Sequence, residues 1–269
     1  MTTTGNLHGQ HAWVTGGGSG IGYAIAEALF RDGAKVTISG RRGDALASAV
    51  ERLSTLHKGD IGSEIADVTD SAQVASAAQS ARQRFGQISI LINNAGSAHS
   101  AKFTDTAPAD FEAMYAVHVL GAVHTMQVVL GDMQKLPQGR IINICSTAAI
   151  KPYKTISAYG AAKHALLGLT KTVALEYAST GITVNAVCPG YTATGIAEQA
   201  LENLMQAKQL TWNQAQAILA AANPQGRLIQ PEEVAETVRW LCQPSQKTHT
   251  GQVFPVCGAE WIEIGRAHV

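Results

Sequence analysis

The sequence is poor in charged and aromatic residues and carries no net charge. Charged residues make up 15% of the 269 residues and aromatic residues 6%, and the basic and acidic side chains balance. A chain without net charge has no long-range field that attracts nucleic acid or an anionic membrane, so neither partner is expected. The 46% of hydrophobic residues suffice for a large core, and the length fits one α/β domain spanning residues 1–269.

Cysteine is scarce, and the other signals of metal binding or export are missing. The cysteines form no Cys-x-x-Cys pair, which favours reduced core thiols in a cytoplasmic protein. No His-Glu-x-x-His motif or other ligand cluster occurs, so no metal site is predicted. The first ten residues lack the apolar stretch of a secretion signal, and no later apolar run is long enough to span a bilayer. We therefore expect a soluble protein that is not exported.

Short β-rich runs alternate with amphipathic helical patterns along the whole chain. Strands are predicted at 12–15, 35–39, 63–66, 88–92, 140–145, 183–187 and 252–256, and helices at 21–31, 44–56, 71–85, 108–133, 157–178 and 231–242. This alternation predicts a single Rossmann-type, doubly wound parallel sheet of about seven strands, with helices on both faces. Right-handed crossovers place the carboxyl ends of the strands on one edge of the sheet, where ligands bind.

Glycines crowd the junction between the first predicted strand and the first helix. Residues 15–22 read TGGGSGIG. Glycine allows the tight turn and the close backbone approach that a pyrophosphate needs, and the helix that follows offers free N–H groups and a positive dipole end. Nucleotide binding is the favoured interpretation, and a plain glycine-rich turn is the alternative.

Tyr159 and Lys163 lie four residues apart in the helical pattern at 157–178. On a helix their side chains leave the same face one turn apart. An ammonium beside a phenol favours the phenolate, so the pKa of Tyr159 is expected to fall from about 10 toward the working range of a general acid or base. A solvated helix face with no catalytic role is the alternative for this pair alone.

Five motifs in order resemble the short-chain dehydrogenase/reductase family. They are the glycine-rich loop, Asn93-Asn94-Ala95-Gly96, Ser146, Tyr159-x-x-x-Lys163 and Pro189-Gly190. The resemblance covers nearly the whole chain and implies hydride transfer between a nicotinamide cofactor and the carbon of a secondary alcohol or ketone. It implies that Ser146 donates a hydrogen bond to the substrate oxygen, that Tyr159 passes the proton, and that Lys163 binds the nicotinamide ribose and tunes Tyr159. Both hydroxyls suit a reaction in which negative charge develops on oxygen.

His118 stands where the family usually has an asparagine in the long helix. In relatives that asparagine kinks the helix, so that a main-chain carbonyl holds a water of the proton relay. Three interpretations of His118 are open: it keeps the kink and the water, it joins the relay through its own titration, or it reduces activity. The last would leave a nucleotide-binding regulatory or scaffold protein of the same fold. We prefer the first, because every residue has a main-chain carbonyl.

The resemblance also assigns the cofactor contacts. The expected residues are Gly16, Ser19, Gly20, Ile21 and Gly22 for the pyrophosphate, Asp67 and Val68 for the adenine, Asn93, Ala95 and Gly96 for the adenosine ribose, Tyr159 and Lys163 for the nicotinamide ribose, and Pro189, Gly190, Thr192 and Thr194 for the carboxamide. The alternative for Asn93 and Asn94 is that they hold the sheet together.

The second strand ends without the acidic residue that binds the ribose 2′-hydroxyl in chains selective for NAD. That position is Gly40, and Arg41 and Arg42 follow it. A guanidinium suits a 2′-phosphate, so NADP(H) is the predicted cofactor and NAD(H) the second choice. The alternative is that the two arginines only cap the strand edge or stack on the adenine.

Residues 194–227 correspond to the family's variable substrate lid and have a helical apolar pattern. Most of these apolar residues are expected to pack in the core, and the rest to line a pocket for an apolar substrate. Tyr153, Tyr191 and His99 are expected to face the cleft. The segment from Asn223 to Glu260 resembles relatives that act on 3-oxoacyl thioesters, polyketides or 3-hydroxy acids. Relatives commonly form tetramers through their long helices, so a homotetramer is expected.

Overall fold

A single parallel sheet organises the protein, whose computed structural model describes residues 6–262 apart from the side chains of Ile196, Gln199 and Ala207. The strand order in this part of the chain is β3-β2-β1-β4-β5-β6-β7. The strands are β1 (His11–Thr15), β2 (Lys35–Gly40), β3 (Ile61–Ile65), β4 (Ile90–Asn93), β5 (Gly139–Ile144), β6 (Ile182–Pro189) and β7 (Val253–Val256). The predicted seven-stranded, doubly wound architecture is confirmed.

Helices connect the strands in the predicted alternation. They are α1 (Gly20–Arg31), α2 (Gly43–Leu56), α3 (Ser71–Phe85), α4 (Pro108–Tyr115), α5 (Gly121–Met133), α6 (Ser157–Glu176), α7 (Gly195–Lys208), α8 (Trp212–Ala220) and α9 (Pro231–Leu241). A π-helical segment at Ala116–Leu120 joins α4 to α5, and 3₁₀ turns occupy Phe103–Asp105 and Thr147–Ala149.

The sheet separates two apolar cores, because alternate residues of each strand point to opposite faces. In β4, Ile92 belongs to the core beneath α1, α2 and α9, and Leu91 belongs to the core beneath α3, α5 and α6. Trp13 of β1 is fully buried in the second core. Burial of this apolar surface contributes about 25 cal/mol per Å² and is what holds the helices on both faces.

The sequence predicted no apolar run long enough to span a bilayer, and the helix that runs from Pro108 through the π segment to Met133 corrects this expectation. It is 26 residues long with a mean hydropathy of 1.4 in an 18-residue window, so by length and composition it could cross a membrane. In the fold, 44% of that window is buried, and Met126 and Val129 pack in the second core. A core helix of a globular domain passes the same test, so this helix is weak evidence for a membrane span.

The strand order reverses between β1 and β4, which are neighbours in the sheet. In open α/β sheets, the crevice outside the carboxyl ends of the strands at such a point is where ligands bind. The loops after β1, β4, β5 and β6 all open at this edge, and they carry the motifs singled out in the sequence.

Candidate active site

At two positions of the junction between β1 and α1, only glycine fits: Gly16 in the loop and Gly22 in the first turn of α1. A Cβ atom on Gly22 would lie 2.3 Å from the Gly16 carbonyl oxygen and 2.4 Å from Asn94 Nδ2. Gly16 itself has a φ of 66°, in the left-handed region that favours glycine. The loop therefore folds tightly against the start of α1 and leaves its backbone accessible to a ligand.

The first turn of α1 fits an anionic group. The Ser19 side chain, which precedes the helix, accepts no hydrogen bond from the first N–H groups of the helix, and the first turn contains no acidic side chain. The free N–H groups and the helix dipole therefore remain available for a negative ligand, as a pyrophosphate requires. The residues predicted for the pyrophosphate, from Gly16 to Gly22, are all in this loop and turn.

Thr15 and Asn94 hold the glycine loop against β4, a role that the motif analysis did not assign to Thr15. The Thr15 hydroxyl oxygen accepts hydrogen bonds from the backbone N–H groups of Asn94 and Ala95, both at 3.0 Å. Asn94 Nδ2 donates to the Thr15 carbonyl at 3.0 Å and to the Gly16 carbonyl at 3.3 Å. The two loops at the switch point are thus fixed relative to each other.

Asn93 turns its side chain into the protein. Its Nδ2 donates to Asn143 Oδ1 at 2.9 Å, and its Oδ1 accepts from the Thr125 hydroxyl at 2.6 Å. This network joins β4, β5 and α5, and it favours the alternative in which Asn93 stabilises the sheet. Only the main chain of Asn93 is left to face a ligand.

The end of β2 presents a guanidinium and no carboxylate of its own. The side chain of Arg41 is 75% exposed, and its Nη1 lies 3.9 Å from Asp67 Oδ2. An exposed ion pair of this length contributes little, so Arg41 is free to bind a phosphate. Arg42 is exposed and directly precedes α2. Val68, next to Asp67, is buried and accepts a hydrogen bond from His124 Nδ1 through its carbonyl.

The loop after β6 approaches the glycine loop from the other side. Gly190 N donates to the Val256 carbonyl at 3.0 Å, which ties the loop to β7. The Thr192 hydroxyl donates to the Gly190 carbonyl, and Thr194 precedes α7. A Cβ atom on Gly20 would lie 3.2 Å from Thr194 Cγ2. The predicted pyrophosphate and carboxamide loops therefore meet, and an extended ligand can contact both.

The three predicted catalytic side chains come together at the carboxyl end of β5. Ser146 follows β5 and caps the 3₁₀ turn, where its hydroxyl accepts from Ala148 N at 3.1 Å. Tyr159 is in the first turn of α6, with its phenol near enough to the Ser146 hydroxyl for that hydroxyl to lower the pKa of Tyr159. Lys163, one turn later, is buried, donates to the Ile144 carbonyl at 2.8 Å, and lies 5.6 Å from the centre of the Tyr159 ring.

The electrostatics of this group differ from the sequence-based expectation in one respect. Burial raises the pKa of Tyr159 to about 12, and the Ser146 hydroxyl offsets only part of this increase. Burial also lowers the pKa of Lys163 to about 8. The prediction that the pKa of Tyr159 falls below its usual value of about 10 is wrong, because desolvation of the phenolate dominates. Tyr159 is therefore a protonated acid at neutral pH.

His118 lies within the π segment and is buried behind Tyr159. Its Nε2 is 2.8 Å from the Ser97 carbonyl oxygen, and its ring packs edge-on against the Tyr159 ring at 5.3 Å between centres. Burial, followed by the charge of Lys163, lowers the pKa of His118 to about 3. A histidine that stays neutral at working pH does not relay protons by titration, which disfavours the second interpretation. The widened π turn favours the first.

A small cavity separates His118 from Lys163. Its volume is about 10 Å³, and residues including Asn93, Ile144, His118 and Lys163 line it. This is close to the smallest space that holds one water molecule. The geometry is compatible with the relay water that the resemblance implies at this place.

The tyrosines expected to face the cleft are beside the catalytic residues. The rings of Tyr153 and Tyr191 lie 6.4 Å apart, edge to face, and the Tyr153 hydroxyl is 2.6 Å from Thr147 Oγ1. His99 is placed against Asp110, with 3.6 Å between Nε2 and Oδ2. The motif analysis missed Lys151 and Glu260 as members of this group, because no motif contains them.

The segment at 194–227 is helical, as predicted, and forms α7 and α8. Leu201, Ala215 and Leu219 are buried together with Leu228 in a separate small core, against which Tyr191 packs. Most of the apolar residues therefore stabilise the segment itself. Trp212 remains 43% exposed, and the side chain of Ile196 lies outside the described residues.

Comparison with known proteins gives consistent matches over the whole chain. The sequence profile of the short chain dehydrogenase family matches residues 10–204. D-beta-hydroxybutyrate dehydrogenase from Cupriavidus necator is 34% identical over 257 residues, which cover 95% of this chain and 99% of that protein.

The fold of this chain closely resembles those of solved structures. The structure of an actinorhodin polyketide ketoreductase variant with NADPH superposes with a TM-score of 0.90 at 32% identity, and covers 93% of this chain and 97% of that one. L-sorbose reductase from Gluconobacter frateurii, complexed with NADPH and L-sorbose, superposes with a TM-score of 0.90 at 28% identity, and covers 95% of this chain and 98% of that one.

Proposed function

The chain belongs to the short-chain dehydrogenase/reductase family and is an NAD(P)-dependent oxidoreductase that interconverts a secondary alcohol and a ketone; we propose that Ser146, Tyr159 and Lys163 carry this reaction. The observation that supports the proposal most is that Ser146, Tyr159 and Lys163 lie together at the carboxyl edge of the sheet, with the Lys163 ammonium fixed by the Ile144 carbonyl and 5.6 Å from the centre of the Tyr159 ring. Ser146 follows β5 and the other two side chains belong to α6, so these elements position the two hydroxyls before a substrate binds.

In the reductive direction, a nicotinamide cofactor held by the glycine-rich loop and the loop after β6 would supply the hydride for the carbonyl carbon. Tyr159 donates its proton to the carbonyl oxygen, which its raised pKa allows because the phenol is fully protonated at neutral pH. The Ser146 hydroxyl donates a hydrogen bond to the same oxygen and orients it. Lys163, held by the Ile144 carbonyl, stabilises the phenolate that remains after proton transfer. Oxidation of an alcohol reverses these steps.

We assign NADP(H) as the preferred cofactor and NAD(H) as the second choice. Arg41 supplies a free guanidinium at the end of β2, and Gly40 supplies no carboxylate that would repel a 2′-phosphate. The two structures compared above also contain NADPH.

For His118, we propose the first of the three interpretations: it maintains the π turn and lines the small cavity that would hold one water molecule. The regulatory or scaffold alternative is not supported, because Ser146, Tyr159 and Lys163 remain together beside His118.

The substrate is proposed to be an apolar or 3-oxoacyl-type compound, with α7 and α8 as the lid. Tyr153 and Tyr191 present aromatic rings beside the catalytic residues, and the small core of the lid packs against Tyr191. The names of the relatives, a hydroxybutyrate dehydrogenase and a polyketide ketoreductase, agree with this class.

We further propose a cytoplasmic homotetramer that associates through the long helices. Apolar side chains are exposed on these helices, with Leu120 at 41% and Leu175 at 79% exposure. Sedimentation of the purified protein tests the oligomeric state.

A cofactor assay tests the proposed function. We expect the purified protein to oxidise NADPH with a panel of neutral ketones that includes methyl 3-oxobutanoate, with a higher kcat/KM for NADPH than for NADH. Ser146→Ala is expected to reduce turnover by about 100-fold, the usual cost of one hydrogen-bond donor to a developing oxyanion. Absence of turnover with both cofactors would overturn the proposal.

A further inference from the structure

The segment after β7 returns to the catalytic loop and inserts a carboxylate there. The Glu260 side chain is 1% exposed, and its Oε1 lies 3.1 Å from Lys151 Nζ. Lys151 Nζ also donates to the Glu260 main-chain carbonyl at 3.2 Å. Lys151 belongs to the loop between the Ser146 turn and α6. Glu260, close to the end of the described chain, is thus tied to the loop between the two catalytic residues Ser146 and Tyr159.

A tyrosine connects this ion pair to the neighbour of Ser146. The Tyr153 hydroxyl is 2.5 Å from Glu260 Oε1 and 2.6 Å from Thr147 Oγ1. Burial and the bond to Glu260 raise the pKa of Tyr153, so the phenol donates to the carboxylate and accepts from Thr147. The Tyr153 hydroxyl is therefore engaged by Glu260 and Thr147, and the Tyr153 ring packs against Tyr191.

The ammonium of Lys151 is occupied in the same way. It contacts Oε1 and the carbonyl of Glu260, and it lies 4.8 Å from the centre of the Tyr153 ring. The Lys151 side chain is 29% exposed, but its charge is paired with the Glu260 carboxylate, so it offers no unpaired charge to an anionic substrate.

The second carboxylate oxygen adds negative charge on the side of the cofactor loop. Glu260 Oε2 is buried and has no hydrogen-bond partner among the described residues. A Cβ atom on Gly190 would lie 2.7 Å from it, so it is directed at the loop after β6. A second carboxylate placed here would meet like charge in a region with little water.

We propose that Glu260 excludes free carboxylic acids from the substrate site by occupying Lys151, so that the enzyme uses neutral 3-oxoacyl compounds, such as esters and thioesters, rather than free 3-oxo acids. The inference rests on the proposed function and narrows its substrate class. It separates this chain from its relative that is named for hydroxybutyrate, whose carboxylate is anionic at neutral pH.

A matched pair of substrates isolates charge from shape. Methyl 3-oxobutanoate and 3-oxobutanoate share the reacting ketone and differ by a methyl ester against a free carboxylate. For the native protein we expect kcat/KM to be at least about 100-fold higher for the ester, since a like-charge contact opposes the acid. A ratio close to one overturns the inference and needs no variant.

The Glu260→Gln variant frees Lys151 while keeping the size of the side chain. We expect the preference for the ester to fall at least about tenfold, mainly through a lower KM for 3-oxobutanoate. Adding Lys151→Met to this variant removes the cation and is expected to cancel the gain. Glu232→Gln, on the exposed surface of α9, is the control and is expected to keep the native ratio.

Two outcomes contradict the inference. If Glu260→Gln lowers kcat/KM equally for both substrates, Glu260 only positions Tyr153 and the catalytic loop. If the gain on 3-oxobutanoate survives Lys151→Met, Lys151 is not its source. Should the native protein turn over neither substrate, the proposed 3-oxoacyl substrate class fails, whereas turnover of other ketones would still support the proposed reaction. Calorimetric binding of 3-hydroxybutanoate to native and Glu260→Gln protein then decides the inference alone, and equal affinity refutes it.

Discussion

Substitution of Gly22 by alanine tests whether the glycine loop is folded as described. Gly22 lies in the first turn of α1, where helix propensity alone predicts that alanine stabilises the protein by about 1 kcal/mol. The structure predicts the opposite. The new methyl group would lie 2.3 Å from the Gly16 carbonyl oxygen and 2.4 Å from Asn94 Nδ2, and both distances are far below van der Waals contact.

The expected loss of stability in Gly22→Ala follows from the groups that the new methyl group must displace. Relieving such a clash costs about 1 to 3 kcal/mol, and displacing Asn94 from the Thr15 and Gly16 carbonyls adds about 1 to 3 kcal/mol. We therefore expect Gly22→Ala to lower the free energy of unfolding by about 2 to 6 kcal/mol. For a domain of this size, that corresponds to a decrease in Tm of about 4 to 24 °C.

Gly18→Ala is the matched control in the same loop. The nearest atom to its added methyl group, the carbonyl carbon of Ala45, would be at 3.5 Å, an ordinary contact. Alanine also restricts the unfolded chain, so this variant is expected to be neutral or more stable by up to about 1 kcal/mol. Scanning fluorimetry of both variants without cofactor is the assay. Equal Tm values for Gly22→Ala and Gly18→Ala would refute the loop geometry.

Two further predictions concern His118 and the pH dependence. Because the pKa of His118 is lowered to about 3, His118→Asn is expected to leave the pH profile between about pH 5 and 8 unchanged and turnover within about threefold; a large gain in kcat at fixed pH would contradict this and indicate that His118 impairs the native enzyme. Because the pKa of Tyr159 is raised to about 12, kcat/KM for alcohol oxidation, which needs the phenolate, should increase with pH up to about 8, where Lys163 loses its proton and no longer stabilises the phenolate, and level off above it. Ketone reduction, which needs the phenol and the protonated Lys163, should stay constant up to about pH 8 and fall above it. Rates measured in both directions test this, and an oxidation rate independent of pH would contradict it.

The fold and the positions of the motifs were predictable because their signals are local. The alternation of apolar strands and amphipathic helices determines the layers, and glycine-rich and Asn-Asn-Ala-Gly segments end strands whose carboxyl edges coincide in any parallel sheet. Ser146, Tyr159 and Lys163 were brought together as predicted, because two of them share a helix and the third ends the strand beneath it.

What the sequence could not provide depends on burial and on contacts distant along the chain. The pKa of Tyr159 rises because its surroundings exclude water, and a spacing of four residues contains no information on solvent. Asn93 reads as part of a cofactor motif, yet its side chain bonds to Asn143 and Thr125 in the core. Glu260 reaches Lys151 across 109 residues, and no local pattern marks either residue.

The most direct test of the central claim is the turnover of Tyr159→Phe, measured by NADPH oxidation with a neutral ketone. The variant keeps the ring that packs against His118 and removes only the hydroxyl, so the fold and cofactor binding are expected to be retained. Our account predicts that kcat decreases by at least about 100-fold, because no other residue donates the proton. Turnover equal to that of the native enzyme would contradict the account.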